Sequence, residues 1–184
     1  MGNVHSRLFQ RSPESHQSGK IRAQHQDVHL RTSVGRALKE KPQYVLIQFG
    51  HNDSHDPAKP EATDASTTYK EYLRRYVDES RAAGAKPVLI TPMCRRTFTA
   101  DGKLTDALLP YANAMKEVAL EKKVPLVDLH ATSAQLFKKL GQSGSDALAN
   151  APGDNTHFNE KGARAMATLV MEQLPLVEPP LKNI

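Results

Sequence analysis

Tyr44-Val45-Leu46-Ile47-Gln48-Phe49-Gly50-His51-Asn52-Asp53 is the stretch that decides the fold of this 184-residue chain. An apolar run of strand-forming residues ends in a glycine, and three polar side chains follow at once. A short continuous apolar run predicts a strand covered on both faces, as in a parallel sheet. Ligands of such sheets bind beyond the carboxyl ends of the strands, where His51, Asn52 and Asp53 fall. Gly50 supplies a sharp turn or a close approach. The Asn52 amide offers an N–H donor of fixed direction above the strand end.

Two more runs of this kind follow, Pro87-Val88-Leu89-Ile90-Thr91 and Val124-Pro125-Leu126-Val127-Asp128. Between and after them, apolar residues recur at helical spacing. Tyr69, Tyr72, Leu73, Tyr76 and Val77 make one stripe, and Leu108, Tyr111, Ala112, Met115, Val118 and Ala119 another. A short helix through Ala134, Phe137 and Leu140 is expected to close at Gly141, with a Gly/Ser/Asn loop from Gln142 to Gly153. A last helix carries Ala163, Met166, Val170 and Met171 on one face. Strands alternating with helices predict an α/β domain with a parallel sheet between helical layers.

The second chemical signal is Asp154-Asn155-Thr156-His157, just before that last helix. An imidazole with an ordinary pKa near 6.5 can take and return a proton at neutral pH. A carboxylate three residues away can hold its tautomer and stabilise the imidazolium. The same residues also fit a polar turn at Asp154 and Asn155 with Asn159 capping the helix. Arg95 and Arg96 follow the second strand, where a guanidinium fork could bind a substrate carboxylate or anchor the loop to the domain.

Phe49-Gly50-His51-Asn52-Asp53, Thr91-Pro92-Met93-Cys94-Arg95-Arg96-Thr97-Phe98 and Asp154-Asn155-Thr156-His157-Phe158, in this order and spacing, resemble the SGNH (GDSL-type) hydrolases. The similarity is to their rhamnogalacturonan acetylesterase branch, over residues 34–174. The resemblance implies a three-layer α/β/α sandwich of flavodoxin-like type with five strands, of which three are legible. It implies an ester hydrolase that removes acetyl groups from a pectic polysaccharide by Ser-His-Asp acyl transfer. His157 would be the base, Asp154 its orienting acid and Asn52 an oxyanion-hole donor, with Gly50 structural. A catalytically silent relative, or a lipase or acyl-thioesterase of the same superfamily, fits the same motifs.

The family's Gly-Asp-Ser nucleophile block is missing from the sequence. Ser6, Ser12, Ser15, Ser18 and Ser33 precede the first strand, and none follows an apolar run and a Gly-Asp. The expectation is therefore a fold incomplete at its N-terminus, with the nucleophile unassigned. Residues 1–31 form a basic, poorly patterned leader expected to be disordered, and residues 32–184 a partial hydrolase domain.

The formal net charge of +5 belongs to the first 43 residues. The first 43 residues hold eight Lys/Arg against three Asp/Glu, and the remainder holds 17 of each. A neutral domain gives no footprint for nucleic acid. No apolar stretch is long enough to span a membrane, and the N-terminus lacks the apolar core of a signal peptide. By resemblance, a full-length family member would be secreted or periplasmic. The single Cys94 cannot form an intrachain disulfide and is expected to be a small buried hydrophobe. His51, Asp53, His55 and Asp56 have the chemistry of zinc or manganese ligands, but they are crowded into one loop without a second ligand set. No metal or cofactor is expected, and the protein is expected to act as a monomer on an acetylated polysaccharide.

Overall fold

A computed structural model describes residues 35–183. The leader, its serines and Val34 lie outside the described residues. The end of a short helix at residues 35–39 precedes strand β1 (Tyr44–Ile47). Then follow α1 (Thr68–Ala82), β2 (Lys86–Ile90), α2 (Leu109–Lys122), β3 (Leu126–Val127), α3 (Leu129–Asp146) and α4 (Glu160–Val177). A 3-10 turn, Pro179–Asn183, comes last.

The three strands are parallel, in the order β1-β2-β3. Tyr44 pairs with Lys86 and Ile47 with Leu89, while Leu89 and Ile90 pair with Leu126 and Val127. Successive residues of a strand face opposite sides of its sheet. Leu89 accordingly joins Ile47 and the inner faces of α1 and α2, through Tyr69, Leu73, Val77, Met115 and Val118. Val88 and Ile90 join the other core, with Phe137 of α3 and Met166 and Leu174 of α4. β2 is thus buried on both sides, and the protein is a three-layer α/β/α sandwich.

Two expectations change. β1 has one partner among the described strands, and Leu46 is 49% exposed. The helix expected to close at Gly141 instead kinks there and resumes as far as Asp146, which shortens the loop before His157. Gly141 takes a non-helical backbone, but the Ser145 hydroxyl donates back to the Phe137 carbonyl and the second segment packs on the first.

Candidate active site

The carboxyl ends of β1 and β2 and the loop before α4 meet at one edge of the sheet. Gly50 has φ +131°, and a Cβ there would lie 2.8 Å from the Pro92 ring. Only a glycine lets the chain leave β1 against the exit of β2. The turn after it is closed by Asp53, whose carboxylate accepts from the Gly50 N–H at 2.9 Å and from the Thr63 hydroxyl at 2.9 Å. The Tyr111 hydroxyl lies 2.9 Å from the Asp53 carbonyl and 2.7 Å from that of Thr63. Burial pushes the Asp53 carboxyl above its usual range. Its position in the motif is therefore that of a clamp, and the loop it holds presents Asn52 to solvent. Among the described residues the Asn52 amide has no hydrogen-bond partner.

The second loop is held just as closely. Asp154 Oδ1 accepts the backbone N–H groups of Thr156 at 2.9 Å and His157 at 2.8 Å. Its other oxygen, Oδ2, lies 2.9 Å from His157 Nδ1. These bonds, the His157 and Thr156 N–H groups first, hold the Asp154 carboxyl down at about 2. With Oδ2 occupying Nδ1, the imidazole presents Nε2 outward from a side chain that is 78% exposed. Among the described residues Nε2 has no partner. Asn159 caps α4 by accepting the Gly162 N–H at 2.9 Å. The polar turn and the base–acid pair therefore coexist, because the turn's own carboxylate is the acid that orients the imidazole.

Arg95 and Arg96 join the two loops. Arg95 donates to Thr156 Oγ1 at 2.7 Å and to the His51 carbonyl at 3.0 Å, tying the β1 exit to the His157 loop. Of the two readings open for Arg96, its burial supports the anchor over the substrate contact, since it is only 2% exposed. Its Nη2 donates to the carbonyls of Asp154 at 2.8 Å and His157 at 2.7 Å, and its guanidinium lies 4.2 Å over the Phe158 ring. Its side chain turns inward to these carbonyls and supports the loop from beneath. The His157 carbonyl also accepts the Asn150 N–H at 3.1 Å, so the residue's backbone is held from two sides.

His51 sits half-buried between these elements. Burial, then the Arg95 guanidinium and His157, push its imidazole down to about 4. His55 pairs with Glu61 at 2.8 Å. Of the four loop residues with metal-ligand chemistry, Asp53, His55 and Asp56 each hold a partner within the loop region. Sequence reasoning missed Asp53 as a clamp, and also Gly162, where a Cβ would strike the Leu148 carbonyl and the Phe158 ring. A glycine in the first turn of a helix was the available signal.

The profile of the GDSL-like lipase/acylhydrolase family matches residues 6–165, a span that begins inside the segment set apart as a leader. The rhamnogalacturonan acetylesterase RhgT of Bacillus subtilis is 39% identical over 76% of the chain, and the match spans 64% of that protein's length. "Probable rhamnogalacturonan acetylesterase YesY", also of B. subtilis, is 35% identical over 78% of the chain and 70% of its own length. An acetylxylan esterase from Geobacillus stearothermophilus superposes with a TM-score of 0.63 at 21% identity, covering 81% of this chain and 66% of that one. That likeness establishes the fold. No described helix is long and apolar enough to cross a membrane.

Proposed function

The chain belongs to the GDSL-like lipase/acylhydrolase family, and from that membership we propose that it is a carbohydrate acetylesterase acting on a rhamnogalacturonan-type pectic polysaccharide by Ser-His-Asp acyl transfer. The observation that carries the reading is the Asp154–His157 pair with Nε2 unbonded on an exposed ring, in a loop that Arg95 ties to the one presenting Asn52.

In this proposal, Nε2 of His157 takes the proton of a serine hydroxyl as its oxygen attacks the acetyl carbonyl. The oxyanion that forms accepts a hydrogen bond from the Asn52 amide. His157 then gives the proton to the departing sugar oxygen, and a second cycle with water releases acetate. Asp154 stays ionised throughout, since two backbone N–H groups favour its charged form. Arg95 and Arg96 are positioning residues that keep both loops in register. The pectic substrate is supported by the names of the two relatives.

Among the described residues no hydroxyl is hydrogen-bonded to His157, and the sequence has no Gly-Asp-Ser. The 184-residue chain is accordingly expected to release little acetate from acetylated rhamnogalacturonan and to resist a fluorophosphonate serine probe. A version extended by a Gly-Asp-Ser strand segment should gain both, and His157→Ala in that version should lose at least about 10³-fold in kcat. An extended enzyme that keeps its rate without His157 would sink the proposal. Robust turnover by the unextended chain would overturn only the missing nucleophile, and mass spectrometry of the labelled peptide would name the serine. An extended chain that binds the polysaccharide without turnover would establish the silent relative.

A further inference from the structure

Beneath the Arg95–Arg96 clamp lies a group of side chains that the acyl-transfer reading does not use. Cys94 leaves β2, Asp106 ends the loop that follows, and His130 stands in the first turn of α3. One donor atom from each lies within 4.8 Å of the other two. Cys94 and His130 are each 2% exposed. His130 Nε2 is buried without a hydrogen bond, although Asp106 Oδ1 approaches to 2.8 Å outside hydrogen-bonding alignment. A buried ring nitrogen without a hydrogen bond needs an explanation, because its lost hydration is not replaced by an aligned donor–acceptor pair.

We propose that Cys94, Asp106 and His130 form a site for a divalent transition metal, zinc by preference, that fastens the β2 exit loop to α3. Thiolate, imidazole and carboxylate together suit zinc rather than magnesium or calcium, which favour oxygen. Ligand atoms on a tetrahedral zinc stand about 3.4 Å apart, so the His130–Asp106 pair, now at 2.8 Å, must open slightly and no pair need close from more than 4.8 Å. Asp106, with its side chain 38% exposed, gives the site its access to solvent, from which a fourth, water ligand would come. On binding, the Cys94 S–H bond breaks, its proton passes to solvent and the sulfur pair forms the metal bond.

The environment also explains why the thiol is otherwise idle. Burial, then Asp106, push Cys94 up to about 11, and among the described residues its Sγ has the carbonyls of Arg95 at 3.5 Å and Thr105 at 3.7 Å as hydrogen-bond acceptors. A neutral buried thiol is a poor nucleophile. The Cys94 N–H donates to Ser133 Oγ at 2.9 Å, and that hydroxyl donates to the His130 carbonyl at 3.1 Å, so two of the ligand backbones are already fixed to each other. The site touches neither His157 nor Asn52. Its effect on the active edge would pass through Arg95 and Arg96, the two residues that follow Cys94.

The test uses the 184-residue chain stripped with a chelator and titrated with Co²⁺. Cys94 is the only cysteine, so a thiolate-to-cobalt charge-transfer band can arise nowhere else. That band should saturate at one equivalent, disappear on adding Zn²⁺ and be missing in Cys94→Ser. Asp106→Asn, a partly exposed position that spares the fold, should weaken cobalt affinity at least about tenfold, and His130→Gln more. Zn²⁺ at a hundredfold excess over Kd should raise the Tm by roughly 5–10 °C, but not in Cys94→Ser. Cobalt bound without the charge-transfer band places the ion on other histidines and overturns the site. So does a band whose affinity is unchanged in Asp106→Asn and His130→Gln.

Discussion

Arg96→Met is the change that best tests how the His157 loop is held. Methionine keeps much of the length and apolar volume beneath Phe158 but removes the guanidinium. Two charge-assisted hydrogen bonds are lost, to the carbonyls of Asp154 and His157. At about 1.5–3 kcal/mol each, that gives roughly 3–6 kcal/mol. Part is returned, because Arg96 Nε and Nη1 are buried without partners and their desolvation, about 1–3 kcal/mol, is relieved. The net loss should be about 2.5 kcal/mol, or roughly 5–10 °C in Tm for a domain of this size. The His157 carbonyl keeps its bond from Asn150, whereas among the described residues Asp154's carbonyl has no other donor. The loss should therefore concentrate on the turn at Asp154. Urea denaturation measures the total, and hydrogen exchange at the Thr156 and His157 amides, which Asp154 Oδ1 accepts, measures its location. A variant within about 0.5 kcal/mol of the parent, with unchanged exchange at those amides, would refute the clamp.

Other perturbations separate the remaining parts of the site. Gly50→Ala combines a left-handed φ with a Cβ 2.8 Å from the Pro92 ring, and should destabilise by roughly 1–3 kcal/mol in a denaturant titration. His51 is lowered to about 4 in the folded protein against 6.5 when free, so the unfolded chain binds the proton first. Its contribution is present above pH 6.5 and lost as the pH falls towards 4; His51→Gln should flatten the stability slope over that window alone. Asn52→Ala should leave the Tm within about 0.5 kcal/mol equivalent, since the amide is exposed and holds nothing together. In the active extended protein it should still lower kcat by about 10²–10³ while fluorophosphonate labelling persists.

The layers, and the edge where the candidate site lies, are legible in the sequence. Three short apolar runs separated by helical stripes admit a parallel sheet between helices, because each strand must hide two faces. Gly50 and His51 to Asp53 at the end of one run, with Asp154 and His157 before the last helix, also stand out locally. Each pairs a backbone need with a chemical group within a few residues. The work assigned to Arg96, Asp53 and His130 came only from the tertiary structure. An arginine two residues past a cysteine carries no local mark of burial; it is drawn inward because the carbonyls of Asp154 and His157, some 60 positions along the chain, need a donor there. Nor does periodicity show that helix α3 resumes after Gly141 or that Cys94, Asp106 and His130 converge. Spacing along a chain encodes which face a residue takes on its own element. Which groups from separate elements satisfy one another's hydrogen bonds is settled only when those elements pack.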